Sequence, residues 1–303
     1  MKKRNYQYGI SMVEVLVALV ISLFLLAGIV QVYTGNKASY SFTNSISRIQ
    51  ENGRFALETM TQDLRMAGFF GCATFDPENP ENVVNNLDPN GTGYSDDHDF
   101  IGNGPIDGTD NDGLNGSDSV TLRGVAPGQV NVHPPYNVST SANIFVNDNL
   151  ILQPGDISMV CNCRGCDIFQ ITNTTQSANA NQMAVVHNTG TGEPGNYNPD
   201  NCPGANAHCL SQTYGADAAM MRLQKVTYSI AAGASGEPAL WRQEFGDNPE
   251  ELVDGIDQMQ VLYGLDTDDD GFPNRYVPRP QVANLWDVIS LRLMLGGPVF
   301  QRG

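Results

Sequence analysis

From Ile10 to Val32 the chain reads ISMVEVLVALVISLFLLAGIVQV, with Glu14 as its only charge. As a helix, a run of this length crosses a hydrocarbon core of about 30 Å, and little else accommodates it. Lys2, Lys3 and Arg4 precede it, the mark of a targeting segment. An ordinary secretory signal is cut after its apolar region at a small-residue site; here no A-x-A follows the run, and a glycine, Gly9, stands ahead of it. Glu14 is the fifth residue from Ile10. A lone carboxylate deep in lipid costs a few kcal/mol, about 3 on insertion scales. It therefore needs a partner. Cutting after Gly9 would create one, an α-ammonium within the same apolar environment, and the two charges could neutralise each other within or between subunits.

Glycine, a hydrophobic residue and a glutamate at the fifth place of a long apolar helix resemble the class III leader of type IV prepilins and pseudopilins. The resemblance implies that a prepilin peptidase cuts after Gly9 and methylates Ile10, and that Glu14 registers each subunit against its neighbour. Ile-Ser-Met-Val stands where Phe-Thr-Leu-Ile is usual in major pilins. Beyond Tyr33, Ile46, Ile49, Leu57, Met60 and Leu64 recur at three- and four-residue spacing, with Gly53 and Ala56 between them, which predicts an amphipathic continuation. A helix from Ile10 to about Met66 is about 85 Å long. Gly28, Gly35 and Gly53 each weaken it by about 1 kcal/mol relative to alanine, which allows bends or a melted segment there. RIQENGRFALETMTQDLRMAGFFGC, Arg48 to Cys72, resembles the PilW family of minor pilins, as do Val253-Asp254-Gly255-Ile256 and Trp286 followed by Val288 and Ile289 near the carboxyl end.

The residues after the helix form a head. From Asp76 to Asp118 the chain is rich in Asp, Asn, Gly and Pro and reads as a long surface loop. Strands are predicted at Ser119–Arg123, Asn149–Gln153, Met183–His187, Lys225–Ile230, Ala239–Gln243, Ile256–Leu265 and Val288–Leu295. In the last, Ile289, Leu291, Leu293 and Leu295 alternate onto one face, predicted to be buried. With 33 acidic against 16 basic residues and a formal charge of -17, the molecule repels phosphate, which argues against nucleic acid as a partner. An exported chain with Cys72, Cys161, Cys163, Cys166, Cys202 and Cys209 is expected to oxidise them. The pairing stays open, with a local Cys202 to Cys209 bridge favoured. Zinc is the lesser reading of Cys161-x-Cys163-x-x-Cys166 with His208 and Cys209, because two clean C-x-x-C pairs are missing.

Asp266, Asp268 and Asp270 before Gly271 spell the first half of a calcium loop, but Val277 occupies the place of its bidentate glutamate. An acidic solvated loop is favoured over calcium completed by carbonyls or distant carboxylates. Asp107, Asp110 and Asp112 before Gly113 form a weaker acidic turn. No nucleophile elbow, P-loop, zinc-protease or dinucleotide motif occurs, and the four histidines, beside turn residues, read as exposed; the chain is not read as an enzyme. The expected fold is α+β, a type IV pilin-like ladle whose long helix packs on an antiparallel sheet with disulfide-stapled loops. Its expected parts are a leader (1–9), a transmembrane and filament-core half-helix (10–33), an amphipathic half (34–66) and a β-rich periplasmic or extracellular head (67–303). The resemblance implies a minor pilin that primes assembly near the tip. Its partners would be the major pilin, other minor pilins, prepilin peptidase and a tip adhesin. It would sit in the inner membrane first and in the pilus afterwards. The alternatives are a minor pseudopilin of a type II secretion system and a membrane-anchored calcium-binding or adhesive module that never enters a filament.

Overall fold

The computed structural model describes residues 9–71, 82–100, 102, 104–147, 150–176, 181–189, 192–197 and 209–297. Helix α1 runs over Met12–Met66, and it passes through Gly28, Gly35 and Gly53 without the melted segment that those glycines allow. By internal contacts the chain forms two compact units, Met1–Asn52 and Gly53–Gly303. In the first unit every described residue up to Asn44 is exposed. In the second, the last turns of α1 present Ala56 and Met60, both fully buried, and Leu64, partly buried, to a core shared with the strands. Leu57, expected on that stripe, is 42% exposed; the packing positions are 56, 60 and 64, and Leu57 lies about 100° round the helix from Ala56.

Fifteen strands follow among the described residues, in chain order: β1 (Val83–Asn85), β2 (Ile106–Thr109), β3 (Ser119–Val125), β4 (Val130–Asn131) and β5 (Asn143–Asn147). Next come β6 (Ile157–Asn162), β7 (Gly165–Gln170), β8 (Asn173–Gln176), β9 (Gln182–Val186) and β10 (Ala219–Ala232). The last are β11 (Pro238–Glu244), β12 (Glu250–Asp254), β13 (Gln258–Leu265), β14 (Arg275–Val277) and β15 (Val288–Gly296). Two of them, β1 and β2, fall in the stretch read as loop. The 150–153 segment is not strand: Asp156 accepts from the Gln153 amide at 2.8 Å and closes a turn, leaving only Leu152 buried.

The 14-residue β10 is the spine of a nine-stranded sheet. Along one edge it pairs β4 and then β3; along the other it pairs β6 and then β11. The sheet is mixed, because β1 lies parallel to β7, against the antiparallel expectation. Val226, Tyr228 and Ile230, at alternate positions of β10, enter the core with Ala56 and Met60. Two three-stranded sheets complete the unit, β14-β13-β15 and β5-β9-β8.

Where α1 ends, Gly68 adopts φ +77, a left-handed conformation that glycine takes without cost, and its amide bonds Arg123 O at 2.9 Å. Opposite, a Cβ on Gly124 would lie 2.5 Å from Met66 O, so only glycine admits the helix end this close to β3. Asp63, in the last turn, accepts from Tyr228 OH at 2.6 Å and Arg242 Nε at 3.1 Å. Burial, then the bond to Asp63, raises the Tyr228 phenol well above its ordinary range. A polar clamp thus fixes the helix end to β10 and β11. Along β13, the part that β14 does not reach is covered by loop residues: Asp118 accepts from Val261 N at 2.7 Å, and Asp118 N bonds Met259 O at 2.9 Å. β15 carries one extra residue, since Val288 faces Leu265 and Ser290 faces Gly264. Ile289 is that residue. The slip turns it outward, 43% exposed, and puts Val288 in the buried place expected for it, while Leu291, Leu293 and Leu295 pack on the core as predicted.

Candidate assembly segment and the acidic loop

Gly9 and Ile10 are exposed and precede the first helical residue, so the peptide bond between them lies outside the helical hydrogen bonding. Ser11 caps the helix. Its Oγ accepts from Val13 N at 3.2 Å, and Glu14 Oε2 reaches back to accept from Ser11 N at 3.0 Å. This reciprocal pair is a variant of the capping box in which the serine takes the N2 amide of Val13 in place of the N3 amide, and it follows from Ser11-Met12-Val13-Glu14 ahead of an apolar run. The S-x-x-E signature was there to find, but a reading centred on the charge of Glu14 passes over it. Further along, Ser22 and Thr34 turn their hydroxyls onto the carbonyls of Ala18 and Val30, at 2.7 and 3.0 Å. Apart from Gln31, the outer surface between is therefore apolar, and the helix is long and apolar enough to cross a membrane.

The other predicted residues lie in the head. Carboxylate oxygens of Asp266, Asp268 and Asp270 fall within 4.8 Å of one another. Each carboxylate already has hydrogen-bond donors. Asp266 accepts from the amides of Asp268 and Asp270 at 3.3 Å and of Gly271 at 2.8 Å. Asp268 accepts from Asn274 Nδ2 at 3.1 Å and Asp270 from Phe272 N at 2.8 Å. Desolvation pushes the Asp266 carboxyl up, but the bonds from the Gly271, Asp268, Asp270 and Asp269 amides together outweigh it and hold it below the usual carboxylate range. The loop closes on protein donors, and a cation would have to compete with them. Asp107 of the weaker acidic turn pairs instead with Arg279 Nε at 2.5 Å.

Cys161 and Cys166 are joined, with Cα atoms 4.3 Å apart. They face each other one step in from the Cys163-Arg164 turn of the β6–β7 hairpin. Cross-strand pairs of this kind approach to about 4.5 Å, which suits a bridge. Cys163 is free and exposed at the turn, against the expectation that the six pair completely. Two thiols of the zinc reading are thereby spent on the bridge. Cys209 is also disulfide-bonded, and its expected partner Cys202 lies outside the described residues, as do Cys72 and His208. Two histidines read as exposed are buried: His187, and His98, which stacks on Tyr94 and meets Phe245 edge-on. Burial holds His98 below its ordinary pKa.

Two family models match the chain. Residues 4–30 match the prokaryotic N-terminal methylation motif, and residues 227–295 match the Type IV Pilus-assembly protein W family. The second match covers β10 from Thr227 through to Leu295 in β15. No curated protein and no solved structure matches. The methylation motif and the apolar helix fit an inner-membrane-anchored pilin with a periplasmic head, and the family suggests that it interacts with other pilins. With one match at each end, the chain is similar to pilins of the PilW type that carry a class III prepilin leader.

Proposed function

We propose that this pilin is a minor subunit that helps to prime filament assembly and sits at or near the tip of a type IV pilus. The observation that carries this reading is Glu14, the one charge on an exposed apolar helix surface. The subunit waits in the inner membrane. Prepilin peptidase cuts after Gly9 and methylates Ile10, and the segment then exchanges lipid for the helices of the major pilin and other minor pilins. Glu14 sets the register against a neighbour's α-ammonium, a charge pair that low dielectric strengthens. A head of this size suits a low-copy position beneath a tip adhesin. The Cys161–Cys166 bridge fits an oxidising compartment.

The test is the mass of the amino-terminal peptide in cells with and without prepilin peptidase, followed by blotting of sheared filaments. A peptide beginning at methylated Ile10 only when the peptidase is present, and the chain in the pilus fraction, are expected. Retention of residues 1–9 in both strains would leave an anchored module outside any filament. Correct processing with the chain found only in a type II secretion pseudopilus would move it to that system.

A further inference from the structure

The capping box gives Ser11 a task that the charge on Glu14 cannot do by itself. At a helix start in lipid, the first amides have neither water nor a carbonyl to bind, and each unsatisfied group costs several kcal/mol, about 2 to 7. Ser11 Oγ takes the Val13 amide, Glu14 takes the Ser11 amide, and the first helical bond, Val15 N to Ser11 O, forms at 3.3 Å. Only Oε2 of Glu14 is engaged among the described residues. The other oxygen points to no donor of its own chain there.

We infer that Ser11 is a positioning residue for assembly: it holds Glu14 at the helix start, one carboxylate oxygen bound to the Ser11 amide and the other open to an incoming ammonium group. The inference rests on the reading that Glu14 acts in assembly. Processing leaves the box intact. Hydrolysis breaks the Gly9–Ile10 bond, water supplies the leader's new carboxylate and the amine of Ile10, and the Ser11 amide is untouched. The same bond therefore orients Glu14 before cutting, when the carboxylate must be tolerated in lipid, and after it, when the partner arrives. Without the hydroxyl the helix start frays, and the carboxylate samples positions from which a neighbour's ammonium is out of reach.

Box and charge can be separated by substitution, because glutamine also closes a capping box. Glu14→Gln keeps the box and removes the charge; Ser11→Ala keeps the charge and removes the Oγ arm; Ser11→Thr restores the arm. In the full chain, Ser11→Ala is expected to be cut normally after Gly9 yet to enter filaments about fivefold less, the population change that loss of an average cap produces. Ser11→Thr should return it to the wild-type level. In detergent micelles, hydrogen exchange at the Val13 amide, which Ser11 Oγ accepts, should be slow in the wild type, faster in Ser11→Ala and slow again in Ser11→Thr. Wild-type incorporation of Ser11→Ala, or a Val13 amide that exchanges as slowly in Ser11→Ala as in the wild type, would overturn the role of Ser11. Wild-type incorporation of Glu14→Gln would instead overturn the assembly reading and leave the box as a feature of the membrane helix.

Discussion

The first unit of the chain and the second treat apolar side chains in opposite ways. Up to Asn44, α1 turns its leucines, valines and isoleucines outward and folds its hydroxyls back onto its own carbonyls. From Gly53 onward the chain encloses three apolar cores and provides partners for its buried charges, as when Asp167 accepts from Ser211, Tyr214 and Asn86. The second unit finds its solvent-excluding partners within itself. The first exposes apolar surface and has no such partner among its own described residues, so its burial calls for a partner outside the unit.

One substitution made in both units puts this contrast to its strongest test. Leu240 is fully buried in β11, whereas Leu23 on α1 is 63% exposed. Leu240→Ala is expected to destabilise the head by about 3 kcal/mol, through lost transfer energy and the cavity left behind. Leu23→Ala should change head stability by less than about 0.5 kcal/mol. Urea unfolding of the full chain in detergent, followed by tryptophan fluorescence, measures both. A Leu23 variant that unfolds the head as readily as the Leu240 variant would mean that the apolar helix is structurally part of the core, and the contrast would fail.

The clamp at the end of α1 sharpens the comparison, because it lies just past the division at Gly53. Asp63→Ala strands the Tyr228 hydroxyl and leaves Arg242 with its longer contacts to Glu244 and Glu250, 3.6 Å each. The expected loss is about 2 to 3 kcal/mol. Tyr228→Phe removes one donor and keeps the ion pair, so it should cost about 1 kcal/mol. Combining the two should cost less than their sum, since they share a bond. Additive losses would show that Asp63 and Tyr228 act separately and that no shared bond clamps the helix end.

How far the sequence discloses these features follows from their physics. The apolar run and Glu14 are visible because a membrane-length segment admits few conformations. Strands β10, β11, β13 and β15 are visible because each has one buried face, which writes an alternation into the chain. Strands β6 and β7 are buried on both faces, and their alternation disappears; Ser158, Asn162, Asp167 and Gln170 then interrupt what remains with buried polar residues. The parallel pairing of β1 joins residues more than 80 positions apart, for which three residues of sequence carry no signal. Ile289 was assigned to the wrong face because an extra residue in a strand changes every inward position beyond it, and nothing in VISLRLML marks where the slip occurs.

The acidic loop gives the smallest effect, and it asks whether the head is as self-sufficient as its cores suggest. Asp266 titrates below its ordinary value of 3.8 in the folded chain, so its ionised form is favoured by folding. A depressed carboxylate contributes stability that is full above the unfolded pKa and is lost as pH falls through the folded one. Melting followed down the acid range should therefore show the loop contributing fully above pH 3.8 and progressively less as the pH falls below it. Asp266→Asn should remove that dependence and lower the melting temperature by about 1 to 2 °C at neutral pH, since the amide keeps one acceptor oxygen but loses the charge. Because the amides of Asp268, Asp270 and Gly271 already occupy Asp266, millimolar calcium and chelator are expected to leave the wild-type melting temperature the same. A rise with calcium that Asp266→Asn abolishes would show the opposite: the loop would be built for a cation that displaces those amides, and one part of the head, like the apolar helix, would take its partner from outside the chain.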